Sequence, residues 1–127
     1  MARLLRVCPR LPVADLKRTV SFYGDILGFR PGPPWPEDDP EFVMLSRDGI
    51  DLQFYRRSQD ELPIGPATIY IDTDDAQSLH AALQAHVPID WGPEVYWYGR
   101  REFAFKDPDD YAVIISEETD DPPTVAD

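Results

Sequence analysis

The chain states one pattern twice, and that repetition limits its fold more than any other feature. Residues 5–29, LRVCPRLPVADLKRTVSFYGDILGF, begin extended, with Pro9 and Pro12 suited to an edge strand. Asp15 offers a helix N-cap, Leu16, Val20, Tyr23, Ile26 and Leu27 recur at helical spacing, and Gly28 stands where a left-handed C-terminal residue belongs. Residues 66–88, PATIYIDTDDAQSLHAALQAHVP, repeat the plan: a β-rich run over 67–73, a cap at Asp74 or Asp75, then Ala76, Leu79, Ala82 and Leu83 as an apolar stripe. Gln77, three residues after Asp74, adds a capping-box element, and His86 takes the place of Gly28, which predicts αL geometry at the second helix end.

Strand-like alternation follows each helix, at 41–47 and 50–57 in the first half and at 94–98, 101–106 and 111–116 in the second. Phe103 and Phe105 alternate with polar neighbours, and Asp107-Pro108-Asp109-Asp110 supplies turn chemistry before the β-branched run from Tyr111. Phe54, Phe103 and Phe105 are expected in the core. The pattern predicts an α+β fold of two tandem βαβββ modules, about 1–60 and 61–118, in one domain over 1–118, with helices near 15–27 and 75–86. The polar, Pro- and Gly-rich stretch 56–66 marks their junction. Two such units can set their sheets together as a curved surface around a cleft.

Charge narrows the partners. Twelve Lys and Arg stand against 24 Asp and Glu, a net charge of −12, which argues against nucleic acid. Five of those acids lie in the closing EETDDPPTVAD, and residues 119–127 read as an acidic flexible tail; the rest of the chain remains net acidic and should attract cations. No apolar run approaches the ~20 residues of a membrane span, and MARLLRVCPRLP is too short and too broken by Arg and Pro for a secretory signal. The single Cys8 cannot close an internal disulfide and fits a reducing cytoplasm.

At LPVADLKRTVSFYGDILGF and GRREFAFKDPDDYAVIISEE the sequence resembles the vicinal-oxygen-chelate superfamily, which includes glyoxalase I, extradiol dioxygenases and the fosfomycin- and bleomycin-resistance proteins. The similarity spans roughly residues 4–118, and REFAFKDP leans toward the bleomycin-binding branch. That resemblance implies paired βαβββ modules and a homodimer with clefts formed by both chains.

The resemblance also implies four metal-ligand positions in its enzymes, normally His, Glu or Gln. Here they fall on Cys8, Gln53, Thr68 and Ile114. Hard divalent ions want oxygen or imidazole donors, so only Gln53 is an ordinary ligand, and neither a metal nor another cofactor is expected. His80 and His86 stand six apart on the second helix, about 240° around its axis, and face different ways. No Ser/His/Asp set or glycine-rich loop suggests catalysis.

Aromatic residues remain as candidates. If Gln53 points into the cleft, alternation brings Asp51 and Tyr55 with it, and Cys8 brings Arg6 and Arg10. VYWYG, residues 95–99, would place large rings on both faces of a strand. By resemblance, Phe42 and Tyr55 fall on cleft positions, and Tyr98 lies near a stacking Trp of the bleomycin-binding branch. Tyr98-Gly99-Arg100-Arg101 carries one residue more than that branch's pattern, and Asp110 stands where its turn has Gly. The expected ligand-binding set is Trp35, Phe42, Asp51, Gln53, Tyr55, Trp97 and Tyr98. The expected function is metal-independent sequestration of an aromatic, cationic small molecule such as a bleomycin-type antibiotic. The alternative is a metal-dependent superfamily enzyme (glyoxalase, lyase or dioxygenase) with atypical ligands.

Overall fold

The structure is a computed structural model describing residues 1–32, 39–58, 60–61 and 64–126. Trp35 lies outside the described residues. The chain divides into two compact units, Met1–Ile64 and Gly65–Asp127, each a four-stranded sheet with one helix.

The first unit runs β1 (Arg10–Val13), α1 (Leu16–Leu27), β2 (Arg30–Pro31), β3 (Phe42–Arg47) and β4 (Ile50–Arg56). The second runs β5 (Thr68–Asp72), α2 (Ala76–Leu83), β6 (Trp91–Tyr96), β7 (Arg100–Lys106) and β8 (Ala112–Glu118). Strand orders β1-β4-β3-β2 and β5-β8-β7-β6 are the same topology, with one parallel pair and antiparallel neighbours beyond it. This is the tandem βαβββ arrangement that the internal repeat predicts. β2 is the strand that sequence alternation missed, because two residues are too few to show a period.

Helix α1 forms where its caps demand. The Asp15 side chain accepts from the Arg18 amide at 3.1 Å, and Gly28 closes the helix at φ 71° with its amide on the Gly24 carbonyl. Leu16, Thr19, Tyr23 and Leu27 are buried at helical spacing, and the Tyr23 ring lies 5.1 Å from that of Phe54. Burying an aromatic side chain of this kind stabilises by about 1.5–3 kcal/mol.

Helix α2 meets expectation in its cap and departs from it in the capping box and at its C-terminal end. Asp75, not Asp74, caps it: the carboxylate accepts from the Ser78 amide at 3.0 Å and from the Ser78 hydroxyl at 2.6 Å, which draws its pKa down. Two bonds donated by Ser78 to the Asp75 carboxylate therefore stand where the capping box with Gln77 was expected. The helix ends at Leu83 rather than near 86, and His86 is not αL. Lacking a glycine there, the chain finishes in right-handed turns, with the Gln84 amide on the His80 carbonyl and the His86 and Val87 amides on the Leu83 carbonyl. His80 packs edge-on against Phe103 at 5.2 Å, a structural place for an imidazole.

Alternation along the strands sorts side chains to two faces. In the second unit Val95, Phe103, Phe105, Val113 and Ile115 are buried on one side, as are Val43, Leu45 and Phe54 in the first. The β7–β8 turn holds as its chemistry suggests: Asp107 accepts from the Asp109 and Tyr111 amides, and Asp110 adopts φ 65°. After β8, Thr119 donates its amide to Gly99, Asp121 pairs with Arg101, and Thr124 exchanges hydrogen bonds with Val95.

Candidate functional site

The sheet face opposite the core carries the candidate residues in each unit. On the first unit, Phe42, Met44 and Ser46 of β3 stand opposite Tyr55, Gln53 and Asp51 of β4, and Arg10 of β1 is in register with Gln53. Four of the expected binding residues (Phe42, Asp51, Gln53 and Tyr55) thus share one face. Three of them, Asp51, Phe42 and Tyr55, are already engaged. The Asp51 carboxylate accepts from Arg6 and, at 2.6 Å, from the Ser46 hydroxyl. The Arg10 guanidinium lies over both the Phe42 and Tyr55 rings, 5.2 Å from each centroid. Tyr55 also donates to Glu61 at 3.2 Å; burial, then that acceptor, raises its pKa.

On the second unit, the residues sequence reasoning joined as a strand are divided. β6 stops at Tyr96, and Trp97, Tyr98 and Gly99 form the hairpin turn into β7. Gly99 takes φ 81° and donates its amide to the Tyr96 carbonyl, a backbone state that ends the strand. The rings are therefore not spread over two faces. Tyr98 folds back onto Tyr96, centroids 5.6 Å apart and planes at 11°, while Trp97 lies edge-on to it and is 71% exposed.

Beneath this stack lies Glu102, only 3% exposed. Because Phe103 and Phe105 face the core, β alternation turns Glu102 to the other face, directly opposite Ser116 of β8. Tyr98 donates its hydroxyl to Oε1, and Oε2 accepts from Tyr70 at 2.5 Å and Ser116 at 2.7 Å. Arg100 donates to the Ser116 hydroxyl at 2.8 Å and pairs with Asp72. Burial alone would push the Glu102 carboxyl upward, but the three hydroxyls and Arg100 outweigh it and hold it below the usual carboxylate range. The phenols move oppositely: burial first, then the bond to Glu102, raises both Tyr98 and Tyr70.

Strand alternation places Ser116 on this face with Ile114, but Glu102 and Tyr70 were missed at the sequence level. The signal was present in REFAF: two core phenylalanines fix the parity of the strand, so the acid two before Ala104 must share Ala104's face.

A divalent ion of the kind used by the enzymes of this fold does not fit the donors present. Of its four positions, Ile114 carries no donor atom, Thr68 offers a neutral hydroxyl, and Cys8 is a soft ligand beside a lone amide at Gln53. Among the described residues, no three His, Cys, Asp or Glu side chains gather at ligating distance.

Comparison with known proteins agrees with this architecture. Residues 3–115 match the family model of the Glyoxalase/Bleomycin resistance protein/Dioxygenase superfamily, and the chain belongs to that superfamily. A glyoxalase/bleomycin resistance protein/dioxygenase from Nocardioides superposes with a TM-score of 0.74 at 16% identity, covering 99% of this chain and 91% of that one. A bleomycin-binding protein complexed with bleomycin is similar at a TM-score of 0.70 and 21% identity, over 91% of this chain and 99% of its own. The bleomycin resistance determinant encoded on the transposon Tn5 gives 0.71 and 21%, over 91% and 98%. Comparison with curated proteins found no match.

Proposed function

We propose that this chain binds and sequesters an aromatic, cationic small molecule of the bleomycin class without metal and without chemical conversion. The observation that carries the reading is the Tyr96–Tyr98 stack seated on buried, ionised Glu102. Partly exposed rings supply stacking surface, and the carboxylate beneath makes that surface electronegative, which favours a flat cation by stacking and cation–π attraction. Glu102 takes the selective role expected of Asp51, whose charge Arg6 already compensates. Trp97 and Tyr98 are the proposed contacts for the cation; Phe42 and Tyr55, expected beside Gln53 on the other unit, already carry the Arg10 guanidinium, so the cation is assigned to the second unit alone. The bleomycin complex of a protein of the same fold supports the ligand class. A homodimer in the cytoplasm, with clefts shared between chains, completes the proposal, since a unit of about 60 residues is small for enclosing a drug-sized ligand alone.

The test is titration of the protein with bleomycin, metal-free and metal-loaded, followed by tryptophan fluorescence. Saturable quenching is expected, unchanged by EDTA. Tyr98→Ala should weaken binding by about 1–3 kcal/mol, the usual worth of a stacked ring. No saturable response refutes the ligand class, and a response abolished by EDTA on metal-free bleomycin returns a metal-dependent enzyme to first place.

A further inference from the structure

The first unit's face has a charge of the opposite sign at its centre. Arg10 has no carboxylate partner among the described residues, although the chain holds twice as many acids as bases. Among the described residues, Asp51 is paired with Arg6 and Ser46, and Glu61 bonds the Tyr55 hydroxyl and the Ser58 amide rather than Arg10. Its guanidinium is instead spread across Phe42 and Tyr55, exposed to solvent on its outer side, with the Gln53 amide on the neighbouring strand.

That arrangement suits an anion. The two ring contacts restrict the Arg10 side chain, so it loses less freedom when its N–H fork pairs. A fork held this way matches two carboxylate oxygens at once. The 49% exposed ring of Phe42 leaves apolar surface beside it for a flat group. We infer that the Arg10–Phe42–Tyr55 face of the first unit is a binding site for an aromatic carboxylate, with Arg10 as its specificity-determining residue. The site does not depend on the cation platform of the second unit, so either can fail alone.

Isothermal titration with 2-naphthoate and its neutral analogue 2-naphthamide tests it. Naphthoate should bind saturably and at least about tenfold more tightly than naphthamide, as a charge-assisted bidentate pair exceeds a neutral contact. Arg10→Gln should abolish the preference for naphthoate over naphthamide, the ratio of the two affinities falling to about one. Arg10→Lys should recover only part of the preference, because an ammonium keeps the charge but not the fork. Arg6→Gln should weaken naphthoate further than naphthamide, by leaving the Asp51 carboxylate uncompensated nearby. Arg10 is exposed, so its variants should melt like the parent, and a thermal scan checks this. Equal binding of the two probes, or a preference that survives Arg10→Gln, overturns the inference.

Discussion

Replacing Glu102 with Gln tests whether the second unit's platform rests on a charge. The substitution keeps shape and volume, so the change lies in hydrogen bonding and electrostatics. A hydrogen bond to a charged acceptor contributes about 1.5–3 kcal/mol, against about 0.5–1.5 for a neutral one. Glu102 accepts three such bonds, from Tyr98, Tyr70 and Ser116, and an amide must also turn its NH2 toward one of those hydroxyls. Relief from burying a charge works the other way. The sign of the balance follows from the carboxyl itself, whose pKa is held low in the fold, so the folded state prefers the charged form. Glu102→Gln should therefore destabilise at pH 7, by about 1–2 kcal/mol, or roughly 3–8 °C in Tm for a chain of this size.

The pH dependence makes the argument sharper. A depressed folded-state pKa contributes stability that is present above the unfolded value, about 4.3 for Glu, and is lost as pH falls through the folded value. Urea melts of both proteins at pH 7, 5 and 3.5 should show a gap that is full at the first two and smaller at the third, where the carboxyl begins to resemble the amide. A variant as stable as the parent at pH 7, or a gap that stays constant into acid, refutes the reasoning.

Gly92 sits at φ 83° with no room for a side chain: a Cβ there would stand 2.3 Å from the Glu102 carbonyl oxygen and 2.8 Å from Phe103 Cα. Gly92→Ala should cost roughly 2–5 kcal/mol from strained backbone and displaced β7, read as a lower urea midpoint; a loss under 1 kcal/mol would contradict the close approach. Sedimentation of the protein at micromolar concentration should report a dimer, and a monomer under those conditions would remove shared clefts from the proposed function.

What the sequence made readable, and what it hid, follows the strength of local signals. Asp15 and Gly28 frame α1 because each satisfies backbone groups that only a few residue types can satisfy. Phe54, Phe103 and Phe105 are fully buried where period-2 alternation puts them. The second helix end was misread because His86 was aligned with Gly28 by position, and position carries no φ preference. Trp97 and Tyr98 were read as strand because aromatic residues favour strands; Gly99, which turns the chain there, was a single weak mark against three strong ones. Arg6 and Arg10 were expected on the Gln53 face, but nothing local announced that one would meet Asp51 and the other two rings. Such pairings cross strands from distant segments and become visible only in register.

The repeat itself separates what packing requires from what it leaves free. Leu11 lies four residues before the cap Asp15, and Ile71 lies four before the cap Asp75. Both strand positions are apolar, as the shared topology demands, because each sheet must bury one face against its helix. One residue earlier the demand stops. That position is Arg10 in the first unit, spread over Phe42 and Tyr55, and Tyr70 in the second, bonded to Glu102. The same place in the same fold therefore carries a cation on one unit and a donor to a buried anion on the other. Burial cannot account for the difference, since both side chains stand on the face away from the core and both are exposed. Nor can strand propensity, which would favour tyrosine in both. What differs is the charge each face presents to solvent, and that difference is what the two proposed sites rest on.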